Sequence, residues 1–293
     1  MTGVLLALGA AVAYGLSDFV GGVASRRTSV WPVALTACLG AALGSLVLAV
    51  ALPGDPAGRD LAWGALGGVG SGVGTAFLYR GFARGRMGVV GPVSAVGAAL
   101  LPAAVGVLAD ERPSALVWAG MLLALPGIWL VSQEPADPPD PSPASPLSPT
   151  TPGPARGRAP GLADGILAGA GFGLLFAALG QVPEGSGYWP VLAAQLVSLV
   201  AVVGASVLLG GDPRPRVPGD WLGLAAGLTA TTAVVGFVLA RQQGLLSVSA
   251  VLTSLYPAAT VLMAVVFLHE RLHRTQAVGL ALCGVSVACV ALG

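Results

Sequence analysis

The sequence predicts an all-α integral membrane protein with ten transmembrane helices, arranged as two inverted five-helix repeats. The chain has 293 residues, of which 55% are hydrophobic and only 9% are charged, and its mean hydropathy is +0.84. Soluble globular proteins carry about 25% charged residues, so this composition excludes a water-soluble domain. The end of the first half of the sequence recurs at the end of the second half, which supports the arrangement as two repeats.

The charged residues and cysteines exclude several function classes. A formal net charge of +1 gives no clustered basic surface for nucleic acid. All 14 basic residues are Arg, so no lysine is present for a P-loop or a Schiff base, and we expect no cofactor. Cys38, Cys283 and Cys289 lie in apolar runs at spacings that fit neither a disulfide framework nor a metal site, so they are interpreted as small apolar side chains and no metal is predicted.

Ten apolar windows are long enough to span a bilayer, because a helix needs about 20 apolar residues to cross roughly 30 Å of hydrocarbon. Pro257, Pro102 and Pro126 lie within spans and are expected to kink their helices. The ten windows cover approximately residues 3–24, 30–52, 61–82, 87–109, 113–132, 161–180, 188–210, 219–240, 245–268 and 273–292.

A proline-rich segment divides the chain into two parts. Residues 133–160 contain ten Pro, interleaved with Asp, Ser and Thr. Such a segment has little apolar surface to bury, which predicts an extended, disordered linker. The predicted organisation is therefore a first five-helix repeat at 1–132, the linker, and a second five-helix repeat at 161–293.

The end of the first half recurs at the end of the second half. Glu111-Arg112 aligns with Glu270-Arg271, and Gly120 aligns with Gly279. Each half has five spans, an odd number, so the second half enters the membrane from the opposite side. Inverted repeats of this kind are typical of secondary transporters, in which two halves move about a site near the membrane midplane.

These turns also resemble a known family, the EamA-type branch of the drug/metabolite transporter superfamily. Its repeats end in a helix, a Glu-Arg turn and a closing helix, as seen at 108–113 and 267–272, and a Ser-rich helix with a Leu-x-Pro step matches 252–257. In the first half, Ala98 stands where that proline would align. The resemblance implies ten transmembrane helices and the transport of small organic solutes, and it assigns the two Glu-Arg turns to structure and gating.

Asp18 is the clearest candidate for a functional group. It lies about two-thirds of the way along the first span, where a carboxylate costs about 2.5–3.5 kcal/mol to insert. Tyr14 lies one turn earlier on the same face, and Gly21-Gly22 follow one turn later. Asp18 is therefore predicted to bind a cation or carry a proton. The alternative is a structural ion pair with Arg26 or Arg80.

Further candidates for substrate binding or coupling are polar groups inside spans. Arg80, with Tyr79 beside it, could bind a substrate carboxylate or phosphate, or it could extend from the helix end to the interface. Gln195 carries an amide that cannot satisfy its hydrogen bonds within its own helix. Thr253 and Tyr256 complete the predicted lining.

A second function class is left open by the sequence His269-Glu270-Arg271-Leu272-His273, which matches the HExxH signature of zinc metalloproteases. Three observations weigh against an intramembrane protease. Glu111-Arg112 recurs in the aligned place without histidine, Pro113 favours a bend there, and the chain has no other histidine. A third class, a membrane subunit without transport activity, is also left open.

Arginine counts and the family resemblance give opposite orientations. Successive connections between the spans lie on opposite sides of the membrane. This assignment puts eleven arginines on one side and three on the other, namely Arg59, Arg112 and Arg241. The positive-inside rule alone predicts termini outside the cell, whereas the resemblance implies cytoplasmic termini, which we adopt. Abundant Gly, Ala and Arg without Lys indicate a GC-rich bacterial genome, so the predicted location is the cytoplasmic (inner) membrane of a bacterium.

The prediction is thus a secondary active transporter, not an enzyme. It moves a small organic metabolite or drug-like solute by alternating access, as an exporter driven by protons or by the solute gradient. The expected partners are a small-molecule solute, the lipid bilayer and protons, and no nucleic acid. The sequence leaves open a homodimer, the solute itself and the direction of transport.

Overall fold

The computed structural model describes residues 1–84, 87–132, 161–268 and 272–293, and within these ranges the chain forms helices and no strand. Two short 3-10 turns, Glu184–Ser186 and Pro218–Trp221, precede α7 and α8. The helices are α1 (Thr2–Arg27), α2 (Val30–Ala51), α3 (Gly58–Ala83), α4 (Met87–Leu108), α5 (Ala115–Val131), α6 (Leu162–Leu179), α7 (Trp189–Leu208), α8 (Leu222–Gln242), α9 (Leu246–Thr253), α10 (Tyr256–Leu268) and α11 (Arg274–Leu292).

The helices coincide with the predicted membrane spans. In the part of the chain that the structure describes, nine segments are long and apolar enough to cross a membrane, and α5 is apolar but shorter, with 17 residues. The predicted linker, 133–160, lies outside the described residues. The chain is therefore a multi-pass membrane protein that is helical in the described ranges.

One predicted span, 245–268, consists of two helices. α9 ends at Thr253 and α10 begins at Tyr256. Pro257 explains the interruption, because it has no N–H to donate to the carbonyl of Thr253 and its ring crowds that carbonyl. Pro102 and Pro126 lie within α4 and α5, and both helices continue past them.

Large apolar side chains cover the outside of the molecule, and small side chains fill its interior. Leu5, Val47, Val50 and Val200 are exposed, whereas buried positions are mainly Ala, Gly and Ser. Small residues let membrane helices approach closely, and outward Leu and Val side chains suit hydrocarbon.

Glycines place α3 between α6 and α7. Gly68 lies against Ala194 of α7, where an added Cβ would be 2.9 Å from the Ala194 Cα atom. On the other face, an added Cβ at Gly74 would lie 2.7 Å from the Phe172 ring of α6. Because both faces of α3 are in close contact, α3 fixes the positions of two helices from the other side of the linker.

The most extensive helix contacts join the part of the chain before the linker to the part after it. α3 runs antiparallel to α6 and parallel to α7, and α8 runs antiparallel to α1 and parallel to α2. The helices α5 and α11 also pair across the two parts. The two parts therefore share one long interface.

Candidate functional site

A cavity of about 50 Å³ lies at this interface. At a rise of about 1.5 Å per residue, Asp18 lies about 13 Å from the end of α1 at Arg27, well inside the membrane span. The cavity is lined by residues of six helices: Tyr14, Ser17, Asp18, Ala37, Cys38, Ala41, Ser71, Thr75, Leu78, Tyr79, Phe172, Leu175, Gln195, Gly227, Ala230 and Val234.

The Asp18 side chain is buried and has no partner of its own. The residue is 8% exposed, and its carboxylate makes no hydrogen bond or ion pair with any residue that the structure describes. The alternative pairing with Arg80 does not occur, because Arg80 binds Asp164. The Arg26 Nε atom donates to the Phe82 carbonyl oxygen at 3.4 Å. A buried, unpaired carboxylate favours binding of a proton or a cation.

Aromatic side chains share the cavity lining with Asp18. Tyr14 and Tyr79 line the cavity with it, as the sequence placed them. The Tyr79 hydroxyl lies directly against Gly21, where any side chain would collide with it. Gly21 therefore gives room to the tyrosine side chain from α3. Behind Tyr14, the Phe176 ring lies 5.7 Å away in an edge-to-face arrangement.

Cys38 and Ser71 form a polar part of the cavity lining, and Ser198 contacts both of them. The Cys38 sulfur lies 3.4 Å from the Ser198 hydroxyl, which lies 3.3 Å from the Ser71 hydroxyl. Gln195, one turn before Ser198 on α7, lines the same cavity. The sequence does not predict Cys38 as a site residue, because it does not show which face of α2 lines the cavity.

Arg80 lies outside the cavity lining. Its guanidinium stacks over the Phe77 ring at 4.3 Å and pairs with the Asp164 carboxylate, to which its Nε atom donates at 3.0 Å. Arg84 reaches the other Asp164 oxygen at 3.3 Å. Asp164 was not predicted as a site residue, because its partners lie in the other half of the chain. This pairing leaves Asp18 as the only Asp, Glu, His or Arg in the cavity lining that the structure describes.

Thr253 and Tyr256 lie at the interruption between α9 and α10, outside the cavity lining. The Tyr256 hydroxyl shares a 2.8 Å hydrogen bond with Ser94, and its ring lies 6.3 Å from the Tyr14 ring. The Thr253 hydroxyl is buried without a hydrogen-bond partner in the described chain. Of these residues, Tyr256 therefore packs beside Tyr14.

Glu111 joins the two halves at the other end of α9. Its two carboxylate oxygens accept from the backbone N–H groups of Leu246, at 2.6 Å, and Ser247, at 3.0 Å. A tight turn positions it, since Asp110 adopts a left-handed φ of 64° and the Glu111 N–H donates to the Gly106 carbonyl. Arg112 is 88% exposed. Glu270 and Arg271 lie outside the described residues.

The structure gives no support to the zinc-protease alternative. His269 and Glu270 lie outside the described residues. His273 precedes α11 in an extended conformation, with φ −79° and ψ 156°, so it does not continue a helical turn. No group of three or more His, Cys, Asp or Glu side chains that could hold a metal ion occurs in the described ranges.

Comparisons with known proteins agree with this architecture. A family model described as the EamA-like transporter family matches residues 1–133 and 159–292. A solved structure, described only as "Crystal structure of protein", has the same fold, with a TM-score of 0.67 and 19% sequence identity. The similarity covers 99% of this chain and 96% of that one. Among curated proteins, none matches the sequence significantly.

Proposed function

Since the chain belongs to the EamA-like transporter family, we propose that it is a secondary active transporter that exports a small organic metabolite or drug-like solute by alternating access. The observation that carries this proposal is Asp18, a carboxylate without a partner in the described chain, buried in a cavity between the two halves. Such a group within a membrane span is costly unless it binds something.

We further propose that residues 1–132 and 161–293 are inverted repeats on either side of a linker. The double match to one family model supports this. The contact pattern also supports it, because α3 packs on α6 and α7 in the same way as α8 packs on α1 and α2. In each case the first pair is antiparallel and the second is parallel. Two carboxylates also have equivalent roles, because Asp60 accepts from the Ala57 N–H and Asp220 accepts from the Val217 N–H.

In this proposal, helices from both halves open the cavity to one side of the membrane and then to the other. Asp18 recognises charge or carries the coupling proton, and Tyr14, Tyr79 and Gln195 contact the solute. Arg80 holds α3 on α6, and Tyr256 and Thr253 support the wall behind Tyr14. The Glu111 contact with α9 is a gate, and the aligned Glu270-Arg271 turn is proposed to act in the same way.

The proposed location is the inner membrane of a bacterium, with cytoplasmic termini, as a monomer or a homodimer. Epitope tags at each terminus test the orientation by protease digestion of intact spheroplasts. Protected tags support cytoplasmic termini. Cleaved tags contradict that orientation and favour the one predicted from the arginine count.

The transport function is tested by untargeted metabolite profiling inside and outside cells that express the protein. Wild type, Asp18→Asn and Asp110→Asn are compared at equal membrane abundance, with empty cells as reference. Asp110 is an exposed acid in a left-handed turn that Asn tolerates, so it controls for the substitution itself. We expect one solute to accumulate outside with wild type and Asp110→Asn only. Profiles identical to those of empty cells contradict export.

A further inference from the structure

We propose that the solute is a small organic ammonium cation, whose charge pairs with Asp18 and whose apolar part packs against Tyr14, Tyr79 and Phe172. This inference rests on the proposed function and names the substrate class of the same cavity. It argues against one of the two alternatives that the sequence left open for Arg80, the binding of a substrate carboxylate or phosphate.

The charge of the cavity supports a cation. Asp18 is the only acidic or basic residue (Asp, Glu, His or Arg) in the described lining, and no described residue pairs with its carboxylate. Arg80, which could have attracted an anion, is held by Asp164. An anionic solute would bring a second negative charge to a buried carboxylate, whereas a cation provides the partner that burial requires.

The walls of the cavity favour an organic cation over a metal ion. Besides Asp18, the lining is mainly aromatic and aliphatic, with Phe172, Leu78, Leu175 and Val234. Divalent ions such as Ca²⁺ require about six to eight oxygen ligands. Aromatic faces attract ammonium groups, most strongly where water is excluded. A carboxylate beside tyrosine and phenylalanine rings therefore suits an alkylammonium.

The size and polar wall of the cavity restrict the solute further. A volume of about 50 Å³ holds about three to five water molecules, at roughly 10–15 Å³ each. The Gln195 amide is 4% exposed and has no hydrogen-bond partner among the described side chains and backbone groups. It can bind a hydroxyl or carbonyl group on the solute. A short amine with one further polar group fits both features.

Binding to purified protein in lipid nanodiscs tests the charge preference directly. The probes are methylammonium, tetramethylammonium, ethanolamine and choline, together with 3,3-dimethylbutanol, which replaces the choline nitrogen by carbon, and the anion 3,3-dimethylbutanoate. We expect at least one cation to bind the wild type roughly tenfold or more tightly than the neutral and anionic probes, which is the size of one charge-assisted contact. The inference is overturned if every cation binds no more tightly than the neutral and anionic probes, or if no cation binds.

Variants assign the preference to Asp18. Asp18→Asn is expected to lose the roughly tenfold preference, Asp18→Glu to retain it, and Asp110→Asn to match wild type. Unchanged cation binding by a folded Asp18→Asn variant also overturns the proposal. If Asp18→Asn fails to fold, the comparison of the cations with the neutral and anionic probes on the wild type decides alone. A solute found by metabolite profiling that is neutral or anionic would leave transport intact and remove only this inference.

Discussion

Arg80 and Asp164 form an ion pair that joins the end of α3 to the first turn of α6. The Arg80 side chain is 18% exposed and the Asp164 side chain 3% exposed, so most of the contact is removed from solvent. The pair links the parts of the chain on either side of the linker. It also keeps a guanidinium away from Asp18 and leaves the cavity with an uncompensated carboxylate.

We expect Asp164→Asn to lower the free energy of unfolding by about 1–3 kcal/mol, because it leaves the Arg80 guanidinium partly buried without its charged partner. Thermal unfolding in detergent, followed by tryptophan fluorescence, measures the loss. Arg84→Ala is the matched control, since Arg84 reaches the same carboxylate but is 63% exposed and should contribute little. Equal losses for Asp164→Asn and Arg84→Ala would contradict the importance of the buried pair.

Glu111 should control the stability of the first turn of α9. Glu111→Ala removes both acceptors from the Leu246 and Ser247 N–H groups. We expect hydrogen exchange at these two amides to accelerate roughly 5–30-fold, the effect of losing about 1–2 kcal/mol of capping. Mass spectrometry of peptides covering the start of α9 measures this.

Two variants control for the Glu111 prediction. Glu111→Gln keeps one acceptor and should show an exchange rate between those of wild type and Glu111→Ala. Arg112→Ala changes an exposed neighbour and should leave the exchange rate at the wild-type value. If Glu111→Ala also slows transport while the protein stays folded, the contact acts as a gate. Exchange rates in Glu111→Ala equal to those of wild type would show that the cap is dispensable.

The sequence predicts the spans better than it predicts the contacts between them. A span depends on the local run of apolar residues, so the bounds of nine spans agree with single helices, and Pro257 explains the one that divides. Asp18 and Tyr14 were associated correctly because they lie one turn apart on one helix. Asp164 and Cys38 were missed as site residues, because their neighbours depend on how distant helices rotate against one another.

Gly68 should stabilise the close packing of α3 on α7. A Cβ at this position would lie 2.8 Å from the Val197 Cβ atom and 2.9 Å from the Ala194 Cα atom. We therefore expect Gly68→Ala to separate the helices and cost about 1–3 kcal/mol. Gly204→Ala is the control, because an added Cβ there meets nothing within 4 Å and alanine favours a helix by roughly 0.5–1 kcal/mol. Similar melting temperatures for both variants would contradict the close contact.

Cys38 provides a native reporter of charge inside the cavity. In a Cys283→Ala/Cys289→Ala background it is the remaining cysteine of the chain, and it lines the same cavity as Asp18. We expect the cationic reagent aminoethyl methanethiosulfonate to modify it roughly tenfold faster than the anionic sulfonatoethyl reagent, because Asp18 attracts the first and repels the second. Mass spectrometry of the intact protein gives both rates. Adding Asp18→Asn should remove the difference, whereas Asp110→Asn should preserve it. Equal rates for the two reagents would mean that the carboxylate does not determine the charge preference of the cavity.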